Sequence, residues 1–496
     1  MEVRRGEPTP PIAFGGRVSA RWAPVAVPDD LVARLSAVCR VLTAEDVRAE
    51  AGRDWWPLTI RWALSGTTPA LPAVVATPGS EDEVAAVLRL CNETGVPVTA
   101  AAGRSGVCGA SVPVFGGVAL DLTGLAGLVD IDDRSLVVSV LPGTFGDVLE
   151  DGLRAVGLTL GHWPQSLQLS TVGGWLACRS AGQYSTRYGK IEDMAAGLSV
   201  VLADGTVVRT GGRAPRAASG PDLTQLFVGS EGTLGVITAA SLRVHPSPAY
   251  EARDAWGFPT FHAGLDACRR ILRRGGRPAV LRLYDEAESV RSFATETNVL
   301  IVLDEGDPAA IDPTMRLVRD ECGRSGASVL DEGLVARWLE HRNDVSALAA
   351  LVQHGFVLDT IEIAARWGAL DGIYDAAVSG LRAVPGVVAA SAHQSHAYTD
   401  GACLYFTWAA RPPEGVDPDA IYIQAWDVVT RVTLERGGAL SHHHGIGLNR
   451  GRFVEAALGP GATGVLRALK NALDPNGILN PGKLGLSSPW GPAPWP

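Results

Sequence analysis

A chain of 496 residues with 46% hydrophobic side chains has material for more than one core. Its net charge of -10 excludes the broad basic surface that binds phosphate backbones, so nucleic acid is not an expected partner. Seven cysteines (Cys39, Cys91, Cys108, Cys178, Cys268, Cys322 and Cys403) are scattered with no CxxC pair, which reads as reduced thiols in the cytoplasm rather than disulfides or a zinc site.

The N-terminal stretch MEVRRGEPTPPIAFGG has no apolar segment, which argues against a secretory signal. No apolar run is long enough to cross a bilayer. Ala73 to Pro78 reads as a short buried strand. Ser80 caps a helix, with Glu83 completing a capping box. Val84, Val87, Leu88 and Cys91 follow at helical spacing, and Gly95 ends the helix. The next strand, PVTAA, runs into a loop of small residues from Gly103 to Gly109. Such a loop can aim consecutive backbone N–H groups at an anion; taken alone, an ordinary tight turn is the alternative.

VALDL and SLVVSVLPG read as strands, followed by a helix from about Phe145 to Val156 closed by Gly157. Pro164 to Asp193 is rich in glycine and hydroxyls. In Ser170-Thr171-Val172-Gly173-Gly174, two hydroxyls and two glycines let the backbone approach a pyrophosphate or a ring edge. Asp204-Gly205 is a hairpin turn within LSVVLADGTVVRT. Glu231-Gly232-Thr233-Leu234-Gly235 is a third turn that opens a strand. Three such turns without a GxGxxG-then-helix arrangement argue against a Rossmann site.

Pro246-Ser247-Pro248 marks a domain boundary. Beyond it, alternating helices and strands predict an antiparallel sheet with helices on one side, giving an α+β chain. Val465 to Lys483 reads as a helix ending in DPNGILNPGK. The proline-rich tail is expected to fray or drape on the surface. Near the end, GGALSHHHGIG sets His442, His443 and His444 side by side between glycines. In an extended segment their side chains would alternate, so all three would not face one site. Imidazole titrates near neutrality and can pass protons both ways. A satisfied core residue is the alternative for any one of them.

The segments PQSLQLSTVGGW, YGKIED, GPDLTQLFVGSEGTLGVIT, LRLYD, DGACLYF and GGALSHHHGIG, with DPNGILNPGK, resemble the FAD-linked oxidase superfamily of the vanillyl-alcohol oxidase and p-cresol methylhydroxylase type. SHHHGIG with GACLYF is closer to its alkyldihydroxyacetonephosphate synthase branch. The resemblance implies an FAD-binding domain over residues 61–248, after an N-terminal segment 1–60. A cap domain would cover 249–464, a return to the FAD domain 465–484, and a tail 485–496.

It further implies that Ala100, Ala101, Ala102, Gly103, Arg104, Ser105, Gly106, Pro164, Ser166, Ser170, Thr171, Gly173 and Gly174 hold the pyrophosphate and flavin. Glu231, Gly232, Gly235 and Val236 would flank them. The first loop has no histidine for a covalent link, so FAD is expected to be non-covalent, with Cys108 a small buried residue. Tyr405 matches an active-site tyrosine of the synthases, and Arg282 an arginine they require. His393 stands where they carry an arginine that grips the substrate phosphate. Related 2-hydroxyacid dehydrogenases have a glutamate at the position of His443, and a second metal-binding histidine at that of Tyr405, so no metal is expected even though His396 is kept.

The implied chemistry is exchange of an acyloxy for an alkoxy group through a flavin N5 adduct, with a histidine taking a proton next to a ketone. The alternatives are an FAD-dependent dehydrogenase or oxidase of a 2-hydroxy acid or other alcohol, and a flavin-free binding protein of the same fold. The expected partner is a small-molecule or lipid-like substrate, with peripheral membrane contact and a homodimer left open.

Overall fold

The structure is a computed structural model that describes residues 18–344 and 351–495. The N-terminal stretch that argues against a signal lies outside the described residues. Ser80 Oγ accepts the Glu83 N–H at 3.2 Å, and Gly95 closes the helix Glu81–Thr94 with φ +65°. The Glu83 carboxylate takes the N–H of Gly79 rather than that of Ser80, so the reciprocal half of the capping box is displaced by one residue. Val84, Val87, Leu88 and Cys91 bury against Val74, Val98, Val118 and Leu120 of a four-stranded sheet. That sheet runs Arg40–Leu42, Val74–Thr77, Val118–Asp121, Val98–Ala101, parallel except for its first pair.

A second, five-stranded antiparallel sheet contains the Asp204-Gly205 hairpin between Ala195–Val201 and Val207–Gly211. The helix expected from Phe145 to Val156 spans Gly146–Arg154. The strand Val236–Arg243 follows the Glu231 turn and sits at the centre of this sheet.

Beyond Pro248 lies a seven-stranded antiparallel sheet in the order Ser328–Leu330, Tyr250–Phe258, Asn298–Gly306, Val280–Tyr284, Val387–Ala397, Gly401–Ala410, Val357–Arg366. Period-two alternation sorts its side chains. Leu404, Phe406, Ile361 and Ile363 join a core with the helices Phe261–Arg273, Trp367–Ala383 and Pro418–Glu435. The opposite parity places Tyr284, His393, Tyr405 and Glu362 in one cross-strand row. A register shift between Gln394 and His396 then lets both Ser395 and His396 reach the same cavity.

The two ends of the chain are tied in. Trp56 Nε1 donates to Tyr422 Oη at 2.9 Å and Trp62 Nε1 to Asp419 at 3.0 Å, so the helix Pro57–Leu64 packs against the third sheet's helical layer. The C-terminal helix spans Val454–Leu473, with a break at Gly459 (φ +77°), rather than Val465 to Lys483. Asp474 ends it by accepting the N–H groups of Ile478 and Leu479. Leu479 then bridges to Val98 of the first sheet. The tail is draped but not frayed: Trp490 lies 5.7 Å from Phe115, and Trp495 stacks on Trp56 at 5.7 Å. No helix among the described residues is long and apolar enough to cross a membrane.

Candidate functional site

A cavity of about 760 Å³ lies between the glycine-rich turns and the seven-stranded sheet. Ala100, Ala101, Ala102, Gly103, Arg104, Ser105 and Gly106 line it from one loop, and Pro164, Ser166, Ser170, Thr171, Gly173 and Gly174 from a second. Glu231, Gly232, Gly235 and Val236 line it from a third. Its size falls within the roughly 300–1,000 Å³ of ordinary cofactor sites. Arg104 and Glu231 take left-handed backbone angles, φ +50° and +51°, a conformation that costs non-glycine residues of order 1 kcal/mol or more. Thr171 Oγ1, Ser111 Oγ and Arg104 Nε are buried without hydrogen-bond partners. Their residues line the cavity, so the wall offers polar atoms suited to a phosphate-bearing, many-acceptor cofactor such as FAD.

The histidine segment is not extended, as the sequence suggested, but bent around one carboxylate. Glu362, fully buried in the strand Val357–Arg366, accepts from Ser441 Oγ (2.6 Å), the backbone N–H of His442, the N–H of His444 (2.9 Å) and Arg450 Nη2 (3.1 Å). Burial is the largest single influence and opposes its ionisation, but Arg450 and the neighbouring histidines together outweigh it and hold it well below the usual carboxylate range. Glu231 anchors the other end of the loop by accepting the N–H groups of Ile446 (2.6 Å) and Gly447 (2.9 Å). Its carboxylate is therefore turned to the loop, although the residue lines the cavity.

The bend brings His443 and His444 to the cavity wall and leaves His442 behind them. His442 Nε2 pairs with Tyr398 Oη at 2.9 Å, and its Nδ1 with His443 Nδ1 at 3.0 Å. Tyr405 stacks against His443 at 6.2 Å and meets His444 edge-on at 5.4 Å. Its hydroxyl donates to Thr360 Oγ1 at 2.9 Å, and burial raises its pKa. The three histidines do not titrate near neutrality. Burial pulls His442 and His443 down to about 3 and His444 to about 4, so each is neutral at pH 7.

Arg282 and His393 meet at 2.5 Å, with the guanidinium donating to Nε2. The other ring nitrogen, Nδ1, donates to Glu288 at 2.9 Å. Both nitrogens of His393 are thus engaged, and burial takes its pKa down to about 4. His396 Nδ1 pairs with Ser185 Oγ at 2.7 Å. One ligand atom each from His396, His442 and His443 lies within 4.8 Å of the others, so these residues are close enough to share a metal ion. Both ring nitrogens of His442 are, however, already joined to Tyr398 and His443, and Nδ1 of His396 to Ser185.

Sequence reasoning missed Glu362, Arg450 and His162. Glu362 is one of two acids, with Asp359, in the otherwise largely apolar run VLDTIEIAA, a signal that was legible. Arg450 follows the histidines by a few residues and lies beneath them, over the Trp426 ring at 4.9 Å. His162 is fully buried, and its Nε2 lies 3.2 Å from Ser180 Oγ. Burial and the nearby His443 pull it down to about 3.

The FAD binding domain family matches residues 72–211, and the C-terminal domain of FAD linked oxidases matches residues 247–484. An uncharacterized FAD-linked oxidoreductase of Escherichia coli, YgcU, is 32% identical over 439 residues, covering 84% of this chain and 90% of that protein. Alkyldihydroxyacetonephosphate synthase of Dictyostelium discoideum is 30% identical over 457 residues, 84% of this chain and 74% of that one. A solved structure of alkyldihydroxyacetonephosphate synthase superposes with a TM-score of 0.78 at 27% identity, covering 94% of this chain and 88% of its own. Substrate-bound p-cresol methylhydroxylase shares the fold, with a TM-score of 0.76 at 17% identity over 94% of this chain and 99% of its own. With both halves of the chain matched, the protein belongs to the FAD-linked oxidase family and takes FAD as its cofactor.

Proposed function

We propose that the chain exchanges an acyloxy group for an alkoxy group on the carbon next to a ketone, as the synthase relatives' chemistry suggests. The supporting observation is the pair of neutral imidazoles, His443 and His444, on the cavity wall beside Tyr405. Bound FAD, held by the Ala100–Gly106 and Ser170–Gly174 turns, supplies an electron-accepting ring. A neutral imidazole is the base form, ready to take a proton from the carbon between ketone and acyloxy group. Tyr405 keeps its proton at neutral pH and serves as donor and orienter. His393 holds the guanidinium of Arg282, which faces the cavity and steadies the substrate. The alkoxy oxygen replaces the acyloxy oxygen, the imidazole returns a proton to the carbon, and the alcohol's proton leaves with the carboxylate as the free acid, so the ether forms with no net change of oxidation state.

The second reading is an FAD-dependent dehydrogenase or oxidase of a 2-hydroxy acid or other alcohol, favoured by the oxidoreductase relative at 32% identity. Anaerobic incubation separates the two. Acyl-dihydroxyacetone phosphate with a long-chain alcohol is expected to yield ether and free fatty acid while the flavin spectrum ends oxidised. Bleaching of the flavin by a hydroxy acid, with no ether formed, would replace the exchange reading by the redox one.

Two further results are expected. FAD should leave the chain entirely on acid or heat denaturation, because the Ala100–Gly106 loop carries no histidine. Flavin that sediments with the precipitated protein would contradict a non-covalent site. Turnover should survive exhaustive chelation, since both ring nitrogens of His442 and Nδ1 of His396 are already taken by Tyr398, His443 and Ser185. A rate lost to a chelator and restored by one equivalent of a single metal would overturn this.

A further inference from the structure

A second cavity, of about 440 Å³, opens beyond Arg282 and shares Arg282, His393, Tyr405, Thr360 and Gln183 or their neighbours with the wall of the larger one. Its wall is strongly cationic. Arg337 and Arg342 project from the helix Gly333–His341 and the residue that ends it, and Arg291 from the helix Glu286–Phe293. Among the described residues, the cavity has one acidic wall residue, Glu288, which is already engaged by His393 at 2.9 Å and Arg291 at 3.3 Å. Among the described residues, no carboxylate lies within 4 Å of the guanidinium of Arg282, Arg337 or Arg342.

These cations are placed by aromatic faces and neutral acceptors. Arg342 lies 5.5 Å from the Trp338 ring, 5.1 Å from Tyr184 and 5.5 Å from Trp163, and donates to Gln183 Oε1 at 3.3 Å. Arg282 lies 5.9 Å from the Trp338 ring, so one indole is shared by both arginines. Arg337 donates to the Phe293 carbonyl at 3.3 Å. Aromatic contacts orient a guanidinium without neutralising it, and leave N–H donors for a planar or tetrahedral anion. Three guanidinium groups lacking an acidic partner around one small cavity are a charge excess suited to a dianion.

We propose that this cavity is the binding site for a phosphate monoester at one end of the substrate, with Arg342 and Arg337 supplying the contacts and Arg282 at the neck. The assignment rests on the exchange reading for the location of the reacting end, in the larger cavity. It also answers the substitution at His393. The position that the synthases fill with a phosphate-gripping arginine here braces Arg282, and the anion's partners lie on the neighbouring helix instead.

The test is titration of FAD-loaded enzyme with glycerol 3-phosphate, followed by flavin absorbance and calorimetry, with glycerol and glycerate as companion probes. Glycerol 3-phosphate is expected to bind about tenfold or more tightly than either companion. Arg342→Gln and Arg337→Gln should each weaken it by about tenfold or more, the scale of hydrogen bonds to a charged group. Arg342→Lys should fall between, because it keeps the charge and loses the fork. Arg319→Gln, which breaks an exposed pair with Asp254, should bind as the parent does. Flavin content and melting temperature report whether each variant has folded. Equal affinity in the parent and in folded Arg342→Gln and Arg337→Gln would overturn the site, as would no preference over glycerol. A response confined to glycerate would overturn the phosphate assignment. The titration reads binding alone, so failure to form an ether would count against the exchange reading without altering this result.

Discussion

His443→Ala is expected to lower turnover by about a hundredfold or more, the usual scale for loss of a general base, while FAD stays bound at the parental ratio. His443 lies on the cavity wall, stacks against Tyr405, and is kept neutral by burial and by His444. His444→Ala should also be severe, because that ring meets Tyr405 edge-on and lines the same wall. His442→Ala should cost less, since its ring sits behind His443 and pairs with Tyr398. Tyr405→Phe should lose less than His443→Ala if the hydroxyl only orients, and as much if it transfers a proton.

The pH profile carries the same argument with a defined sign. A base whose pKa is lowered to about 3 or 4 is already deprotonated at pH 6, so kcat/KM should show no acid limb near 6.5. An inflection at 6.5 that vanished in His443→Ala would mean that this ring titrates as an exposed histidine. Near-normal turnover in all three histidine variants and in Tyr405→Phe would remove the site from this loop altogether.

The glycine-rich turns, the antiparallel sheet and the histidine run were legible because each has a local signature. Glycines at tight turns, period-two strands and a rare tripeptide can be read without knowing the tertiary structure. The face each histidine takes was not legible. It depends on Glu362, eighty residues earlier, which bends the loop by accepting two of its N–H groups. Likewise, His393 reads as an unpaired substitute for an arginine until Glu288 and Arg282 are seen on either side of it. The C-terminal helix begins and ends earlier than the expected Val465 to Lys483, because the chain runs as a helix from Val454 to Leu473 across a kink at Gly459. The first sixty residues read only as an N-terminal segment; in the structure Arg40–Leu42 is an edge strand of the first sheet, and Trp56 reaches Tyr422.

Glu362→Gln is expected to disable the enzyme by a different route from His443→Ala. The carboxylate is fully buried and receives Arg450, Ser441 and two loop N–H groups. An amide removes the negative charge and brings an NH₂ toward donors that need an acceptor. Arg450, also buried, keeps the Glu362 and Gly445 carbonyls but loses its only carboxylate partner among the described ion pairs. Breaking one side of such a pair costs about 3–5 kcal/mol, far more than an exposed pair. The melting temperature should fall, and turnover should fall with it as the histidines lose their fixed placement.

Arg450→Met separates the two effects. Paired with Glu362→Gln, it removes the stranded cation, so the double variant should recover part of the stability lost in Glu362→Gln. It should recover none of the turnover, because the N–H groups of His442 and His444 still lack their carboxylate. A double-mutant cycle should therefore show strong non-additivity in melting, of order 1–3 kcal/mol, alongside a rate that stays low. Strict additivity in melting would mean that Arg450 and Glu362 are not held as a pair. Rescue of the rate by Arg450→Met would mean that the loop's placement does not depend on the carboxylate.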